Sequence, residues 1–322
     1  MVHPQPYSKR LASRIHSSQF TPIFAPRRIE PRHLPKGLMN FSRALPLLAT
    51  TALVASLAFI NHRGMAEEVA KENPSKEFTF IQMCDTQLGM GGYEHDVKTF
   101  ELAVEQINAM APDFVLICGD LVGKANDKSF ADFNRIKGGF KIPCHCAAGN
   151  HDVGNKPTAE SLKNYRETIG KDYFTLEHKG YTFVVANTQL WKAPLKGESE
   201  KHDAWFKAAL KSAKKKGSPV VVVTHYPLFV KEPDEKESYY NIEPAKRKEL
   251  LNLFKTNGVV AMLAGHTHKL VVNDYEGIQM VNGETTSKNF DKRPLGFRKW
   301  TAKEEGKLSH EYVKLAGEIS KK

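Results

Sequence analysis

The sequence predicts an α/β domain with a β-rich carboxyl end, and three observations predict it. Apolar runs at residues 78–84, 114–118, 220–224 and 259–264, bounded by Gly or Pro, read as buried strands. Helical patterns at about 94–110, 127–137, 158–169, 198–216 and 243–255 separate those runs. Beyond residue 268 the helices cease: 269–274 and 278–282 flank a Tyr275-Glu276-Gly277 turn, and further strands fall near 297–300 and 308–313. No internal repeat interrupts this order, and pattern alone supports α/β with a β-rich end.

The amino-terminal region has a different character. Residues 1–38 carry six prolines and many basic residues, and read as a disordered extension or as sequence preceding a true start at Met39. Arg43 then precedes an apolar run at 44–60, with Gly64 and Ala66 flanking Met65, the pattern of a secretory signal with cleavage after Ala66. The 17-residue run also reaches the lower limit for spanning a bilayer, so an uncleaved membrane tether through 44–60 is the rival reading, and a processed organelle-targeting extension is a third. Export, to a periplasm or outside the cell, or anchoring by this segment is the expected localisation. Residues 67–77 read as a charged linker, 78–315 as the domain and 316–322 as a tail.

A chain of 322 residues with 41% hydrophobic content has ample material for a large core. The net charge of +11 invites a nucleic-acid reading, but its location argues against one. Residues 1–66 hold nine Lys or Arg and one Glu, leaving 38 basic against 35 acidic residues in 67–322. Lys214-Lys215-Lys216 closes a predicted helix, where cations complement the dipole, so no nucleic-acid partner is expected.

Cys84, Cys118, Cys144 and Cys146 lack the paired C-x-x-C spacing of a zinc cluster and read as buried free thiols. A bridge from Cys84 to Cys118 or Cys146 is the alternative in an oxidising compartment.

Chemistry concentrates in five short motifs in chain order: Asp85-Thr86-Gln87, Gly119-Asp120, Gly149-Asn150-His151-Asp152, His225, and Gly265-His266-Thr267-His268. Their carboxylate, imidazole and amide donors suit transition metals held in open, water-bearing sites. Several follow directly on the apolar runs, so they fall at the carboxyl ends of strands, where open α/β sheets bind substrates. Singly, each has a bland reading: Asp85 or Asp120 as a cap, Gly-Asn-His-Asp as a turn, His225 as a strand end stopped by Pro227. His266 and His268 would point to opposite faces of an extended segment, so the chain must bend for both to serve one site. All five motifs in this order leave little room for the bland reading.

In order, spacing and local sequence the chain resembles the calcineurin-like metallophosphoesterase superfamily over about residues 78–315. It is most similar to the serine/threonine phosphatase branch with a calcineurin-like phosphoesterase domain. Gln87 stands where most relatives have histidine, and Asn187-Thr188-Gln189-Leu190 follows a central strand. The resemblance implies a four-layer sandwich of two mixed β-sheets flanked by helices. It implies two divalent or trivalent metal ions, Mn, Fe or Zn, with Asp85, Gln87, Asp120 and His268 on the first and Asp120, Asn150, His225 and His266 on the second. In such a pair, about 3.5–4 Å apart, a bridging hydroxide attacks phosphorus. His151 would act as general acid or stabilise phosphoryl charge, with Asp152 orienting its imidazole.

The expected activity is hydrolysis of phosphomonoesters on a phosphorylated small molecule or a phosphoprotein Ser/Thr. The alternatives are a phosphodiesterase, for a cyclic nucleotide or another diester, or a catalytically silent metal-binding protein if Gln87 weakens the first site. Asn187 and Gln189 read first as satisfying backbone groups, Tyr226 as packing, and Lys124, Arg135 and Lys156 as solvated surface charge.

Overall fold

The computed structural model describes residues 77–317. The expectations for residues 1–76, including the tether at 44–60, and for 318–322 lie outside the described residues. Among the described residues no helix is long and apolar enough to cross a membrane.

The strands are β1 (Phe78–Met83), β2 (Phe114–Ile117), β3 (Cys144–Cys146), β4 (Phe174–His178), β5 (Tyr181–Val185), β6 (Val220–Val223), β7 (Val259–Ala264), β8 (Val271–Tyr275), β9 (Ile278–Asn282), β10 (Gly296–Ala302) and β11 (Leu308–Lys314). They form two sheets, ordered β11-β10-β1-β2-β3 and β4-β5-β6-β7-β9-β8. In the first, β1, β2 and β3 are parallel while β10 and β11 are antiparallel to their neighbours. In the second, β5, β6, β7 and β9 are parallel and β4 and β8 are antiparallel edges. Both sheets are therefore mixed.

Side-chain alternation decides the layering. Phe80, Phe114, Leu116 and Trp300 from one sheet meet Phe183, Val221, Val223 and Leu263 from the other. Phe80 stacks on Trp300 at 5.8 Å and meets Phe183 edge-on at 5.2 Å. The opposite face of the first sheet, with Ile81, Met83, Val115 and Ile117, is covered by helices α1 (Tyr93–Met110) and α2 (Asp127–Lys137) through Phe100, Ile107 and Phe133. Two short helices follow, α3 (Asn150–Val153) and α4 (Ala159–Thr168), then α5 (Gln189–Lys192). Helices α6 (Glu198–Lys216) and α7 (Pro244–Thr256) cover Val220, Val222 and Met262 of the second sheet with Phe206, Leu210, Leu250 and Phe254. The result is a four-layer sandwich, as the resemblance implies.

One polar residue joins the sheets through their interface. Gln82 is fully buried, yet its Nε2 donates to the carbonyls of Ala264 and Val281, each at 3.1 Å, and its Oε1 accepts from Trp300 Nε1 at 2.9 Å. Each hydrogen-bonding group of the buried amide is thus used, the condition for keeping it there. The link also ties β1 to the ends of β7 and β9, where the site lies.

The four cysteines are free thiols; Cys84, Cys118 and Cys146 are buried and Cys144 is partly exposed. Strand β4 has no counterpart among the expected strands, because its alternating half-exposed pattern, at a sheet edge, leaves no apolar run to read.

Candidate metal centre

The site is built from the loops that leave β1, β2, β3, β6 and β7. The first two loops continue to pair beyond their strands: Asp85 N donates to Gly119 O, Gln87 N to Asp120 O and Leu88 N to Leu121 O. This pairing demands unusual backbone. Asp85 (φ 49°), Gln87 (φ 30°), Asp120 (φ 51°), His266 (φ 68°) and His268 (φ 51°) all occupy the left-handed region. Five of the seven expected ligands are thus held in a conformation that costs on the order of 1–3 kcal/mol each and survives only where surrounding bonds enforce it. The bend at His266 and His268 lets both rings reach one centre.

Each histidine is oriented by a backbone carbonyl. His225 Nδ1 lies 2.8 Å from Cys118 O, His266 Nε2 3.1 Å from Tyr239 O, and His268 Nδ1 2.6 Å from Lys288 O. A carbonyl only accepts, so those nitrogens carry hydrogen and the other nitrogen of each ring is the donor atom. His225 Nε2 accordingly faces Asn150 Oδ1 at 3.0 Å and Asp120 Oδ1 at 3.2 Å, and His268 Nε2 faces Asp85 Oδ1 at 3.5 Å. Ligand atoms of Asp120, His225 and His266 lie within 4.8 Å of one another, as do those of Asp85, Asp120 and His268. Asp120 belongs to both groups, the arrangement a bridging carboxylate requires.

The donor set fits cations. Gln87 donates through Nε2 to Asp120 Oδ2 at 3.3 Å, while its buried Oε1 has no hydrogen-bond partner. A buried carbonyl oxygen orphaned on an amide that touches the Asp120 carboxylate is costly unless a positive charge satisfies it. Burial opposes charge on His225, but the Asp120 and Asp85 carboxylates outweigh it and raise its pKa to about 9. Burial works against the charge of Asp120 as well, and the His225 cation overcomes it, bringing that carboxyl to about 2. His266 is driven down to about 3 by burial and by the neighbouring His225 cation. The site thus prefers to hold positive charge at its centre.

Asp152 does not orient His151. Its Oδ1 accepts from the backbone N–H groups of Leu121 and Val122, and its Oδ2 accepts from Gly149 N at 2.8 Å. The carboxylate is spent on fixing the β2 and β3 loops against each other. His151 is oriented instead by the Gly123 carbonyl, 2.9 Å from Nδ1, and its backbone N–H donates to Asp120 Oδ1 at 2.8 Å.

The residues of lesser standing fall outside the donor set. Asn187 holds Asp172 and the backbone of Gln189. Gln189 Nε2 donates to Gly154 O and Asn155 O, and Asn155 in turn accepts from Asn150 Nδ2, so Gln189 acts at one remove. Tyr226 is buried with its ring 3.8 Å from that of His266. Arg135 pairs with Glu101 on the surface.

Sequence reasoning missed three contributors. Tyr239 accepts from His266 through its carbonyl and from Asn150 Nδ2 through its hydroxyl at 3.3 Å. Lys288 accepts from His268, and Phe290 stacks on His268 at 4.5 Å with the rings 14° apart. Two of these contacts use main-chain oxygens, which leave no mark in residue identity. The exposed aromatics Tyr239, Tyr240 and Phe290 in otherwise polar loops were the available signal.

Comparison with known proteins agrees with this geometry. The sequence profile of the family described as calcineurin-like phosphoesterase matches residues 78–270. The serine/threonine-protein phosphatase CPPED1 of Homo sapiens is 31% identical over 81% of this chain and 93% of its own length. The protein of the same name from Danio rerio is 32% identical over 69% of this chain and 79% of its own. In fold, the chain is similar to a dimetal phosphatase from Danio rerio, with TM-score 0.58 and 14% identity, covering 74% of this chain and 97% of that one. A purple acid phosphatase from yellow lupin gives TM-score 0.53 at 17% identity, covering 75% and 52%.

Proposed function

We propose that this chain, which belongs to the calcineurin-like phosphoesterase family and is a hydrolase of phosphate esters, cleaves phosphomonoesters, with phosphoserine and phosphothreonine in proteins as its substrate class. The observation that carries the reading is the convergence of three carbonyl-oriented histidines on Asp120, beside Asp85, Gln87 and Asn150. The substrate class is supported by relatives named serine/threonine-protein phosphatase that align along most of both chains.

Asp85, Gln87, Asp120 and His268 would hold one cation, and Asp120, Asn150, His225 and His266 the other, with Mn, Fe and Zn all compatible with these donors. When bound, such a pair neutralises phosphoryl charge and lowers the pKa of water towards neutrality. The chain's own residues supply the rest. With Nδ1–H donating to Gly123 O, His151 keeps Nε2 for proton delivery to the leaving oxygen. Its backbone bond to Asp120 fixes that acid relative to the bridging carboxylate. The rings of Tyr239, Tyr240 and Phe290 stand over His266 and His268 as an apolar rim. The amino-terminal sequence supports export or a tether through 44–60 as the setting, testable by fractionation and amino-terminal sequencing of the mature protein.

The test is hydrolysis of an aryl phosphomonoester, its bis-aryl diester and a phosphoserine peptide by metal-reconstituted protein, with Asp120→Asn alongside. Turnover of the monoester and peptide, lost in Asp120→Asn while folding and thermal stability persist, is the expected result. Preference for the diester, or turnover unchanged by the substitution, refutes the reading.

A further inference from the structure

A cleft of about 700 Å³ is lined in part by Ser287 and Lys288, whose hydroxyl and carbonyl meet Asp85 and His268. One wall is the loop joining β9 to β10, carrying Lys288, Lys292 and Arg293; Gly91, His95 and Lys314 face it. Among the described residues no Asp or Glu lines the cleft. Arg293 and the buried Arg298 share Glu284 Oε1, at 3.0 and 2.8 Å. Lys288, Lys292 and Lys314 have no carboxylate within ion-pair distance among the described residues. The overall charge does not force this, because residues 67–322 are nearly balanced at 38 basic against 35 acidic.

The wall is a built structure. Asn289 Oδ1 accepts from Thr285 N at 2.9 Å and its Nδ2 donates to Pro294 O at 2.8 Å. Thr285 Oγ1 accepts from Lys288 N at 2.9 Å, and Asp291 accepts from the backbone of Leu270 and Arg293. These bonds hold Lys292 at φ 65°, in the left-handed region. The loop is also fastened to the metal centre: Lys288 O accepts from His268, Ser287 Oγ donates to Asp85 O at 2.8 Å, and Phe290 stacks on His268. Arg293 has Glu284 and His95 has Asp96 as counter-charge, but the three lysines have none, so they focus positive potential in the concavity and select anions, ammonium groups binding phosphate or carboxylate as point charges.

We propose that this cleft is a second anion subsite, seating a negatively charged group of the molecule whose phosphoryl group occupies the metal centre. The inference rests on the phosphomonoesterase reading above and narrows it: the preferred substrate carries a second anionic group. Two sources supply that chemistry, acidic residues flanking a phosphoserine and a second phosphate on a small molecule.

The test uses the full chain, metal-reconstituted, as wild type and as Lys292→Glu/Lys314→Glu, neither residue touching a metal ligand. Substrates are an aryl phosphomonoester, a phosphoserine peptide flanked by Glu or by Ala, and a hexose bisphosphate against the monophosphate. In parallel, fluorescence anisotropy follows a dye-labelled hexaglutamate peptide binding at low and high salt. Wild type is expected to favour at least one doubly anionic substrate about tenfold in kcat/KM through KM, and the variant to lose that preference while keeping its rate on the aryl ester. The hexaglutamate peptide should bind wild type in a salt-sensitive manner and the variant several-fold more weakly. A preference confined to the Glu-flanked peptide assigns the anion to protein, and one confined to the bisphosphate assigns it to a small molecule. Absence of any second-anion preference, or a variant equal to wild type in both kinetics and binding, overturns the subsite. Failure of every ester to react refutes the catalytic reading instead, and anisotropy alone then decides the cleft.

Discussion

Gly265 lies so close to Asp85 that a β-carbon on it would stand 2.6 Å from Asp85 Oδ2 and 3.0 Å from the Cys118 carbonyl oxygen. The glycine that opens the Gly-His-Thr-His motif therefore serves by what it lacks: the Asp85 carboxylate, proposed for the first cation site, fills its missing side chain. Gly265→Ala must push Asp85 aside, costing about 1–3 kcal/mol in stability. Metal stoichiometry should fall by one equivalent while the fold persists. Titration calorimetry with thermal unfolding checks this, and full stoichiometry in the variant would contradict it.

If His225 is a metal ligand as proposed, protons compete with metal for it. Its folded-state pKa near 9 lies above the ordinary 6.5, so below about 9 the metal-free ring is a cation that metal must displace. His266, held near 3, releases nothing at neutral pH. Binding should release about one proton from His225, with apparent affinity rising about tenfold per pH unit up to about pH 9. Calorimetry in two buffers of different ionisation enthalpy gives the proton count directly.

His202 makes the fold sensitive to mild acid. Burial holds it near 4, well below the ordinary 6.5, where its ring lies tilted against Trp191 at 5.1 Å and accepts from Asn187 N at 3.2 Å. The unfolded chain binds a proton there first, so this contribution is complete above pH 6.5, declines below it and is gone below about 4. The total is roughly 3 kcal/mol. Thermal melts of wild type and His202→Gln between pH 8 and 4 should converge as the pH falls; parallel curves would show that the buried ring does not govern the decline.

His151 and Asp152 should separate cleanly. His151→Gln is expected to slow hydrolysis of alkyl phosphomonoesters by about 10²–10⁴, and of activated aryl esters much less, since a good leaving group needs no proton. Asp152→Asn disturbs a carboxylate that accepts three backbone N–H groups and should lower stability by about 1–3 kcal/mol while leaving the pH profile of the rate unchanged. A shifted profile in Asp152→Asn would restore the orienting role that the geometry denies it.

Most strands, the long helices and the donor side chains that the fold gathers were legible in the sequence. Hydrophobic period survives in local sequence, and so do the residue types a transition metal demands. The run at 259–264 became β7 with those bounds, and the motifs after β1, β2, β3, β6 and β7 meet at one centre. The tertiary structure alone decided which atoms face that centre. The left-handed backbone at Asp85, Gln87, Asp120, His266 and His268 is imposed by pairing between distant loops, and carbonyls of Cys118, Tyr239 and Lys288 set the histidine tautomers. A carbonyl is the same in every residue, so sequence carries no record of which one a ring will meet. Asp152, next to His151 in sequence, turned to backbone groups because three N–H donors converge on it in space.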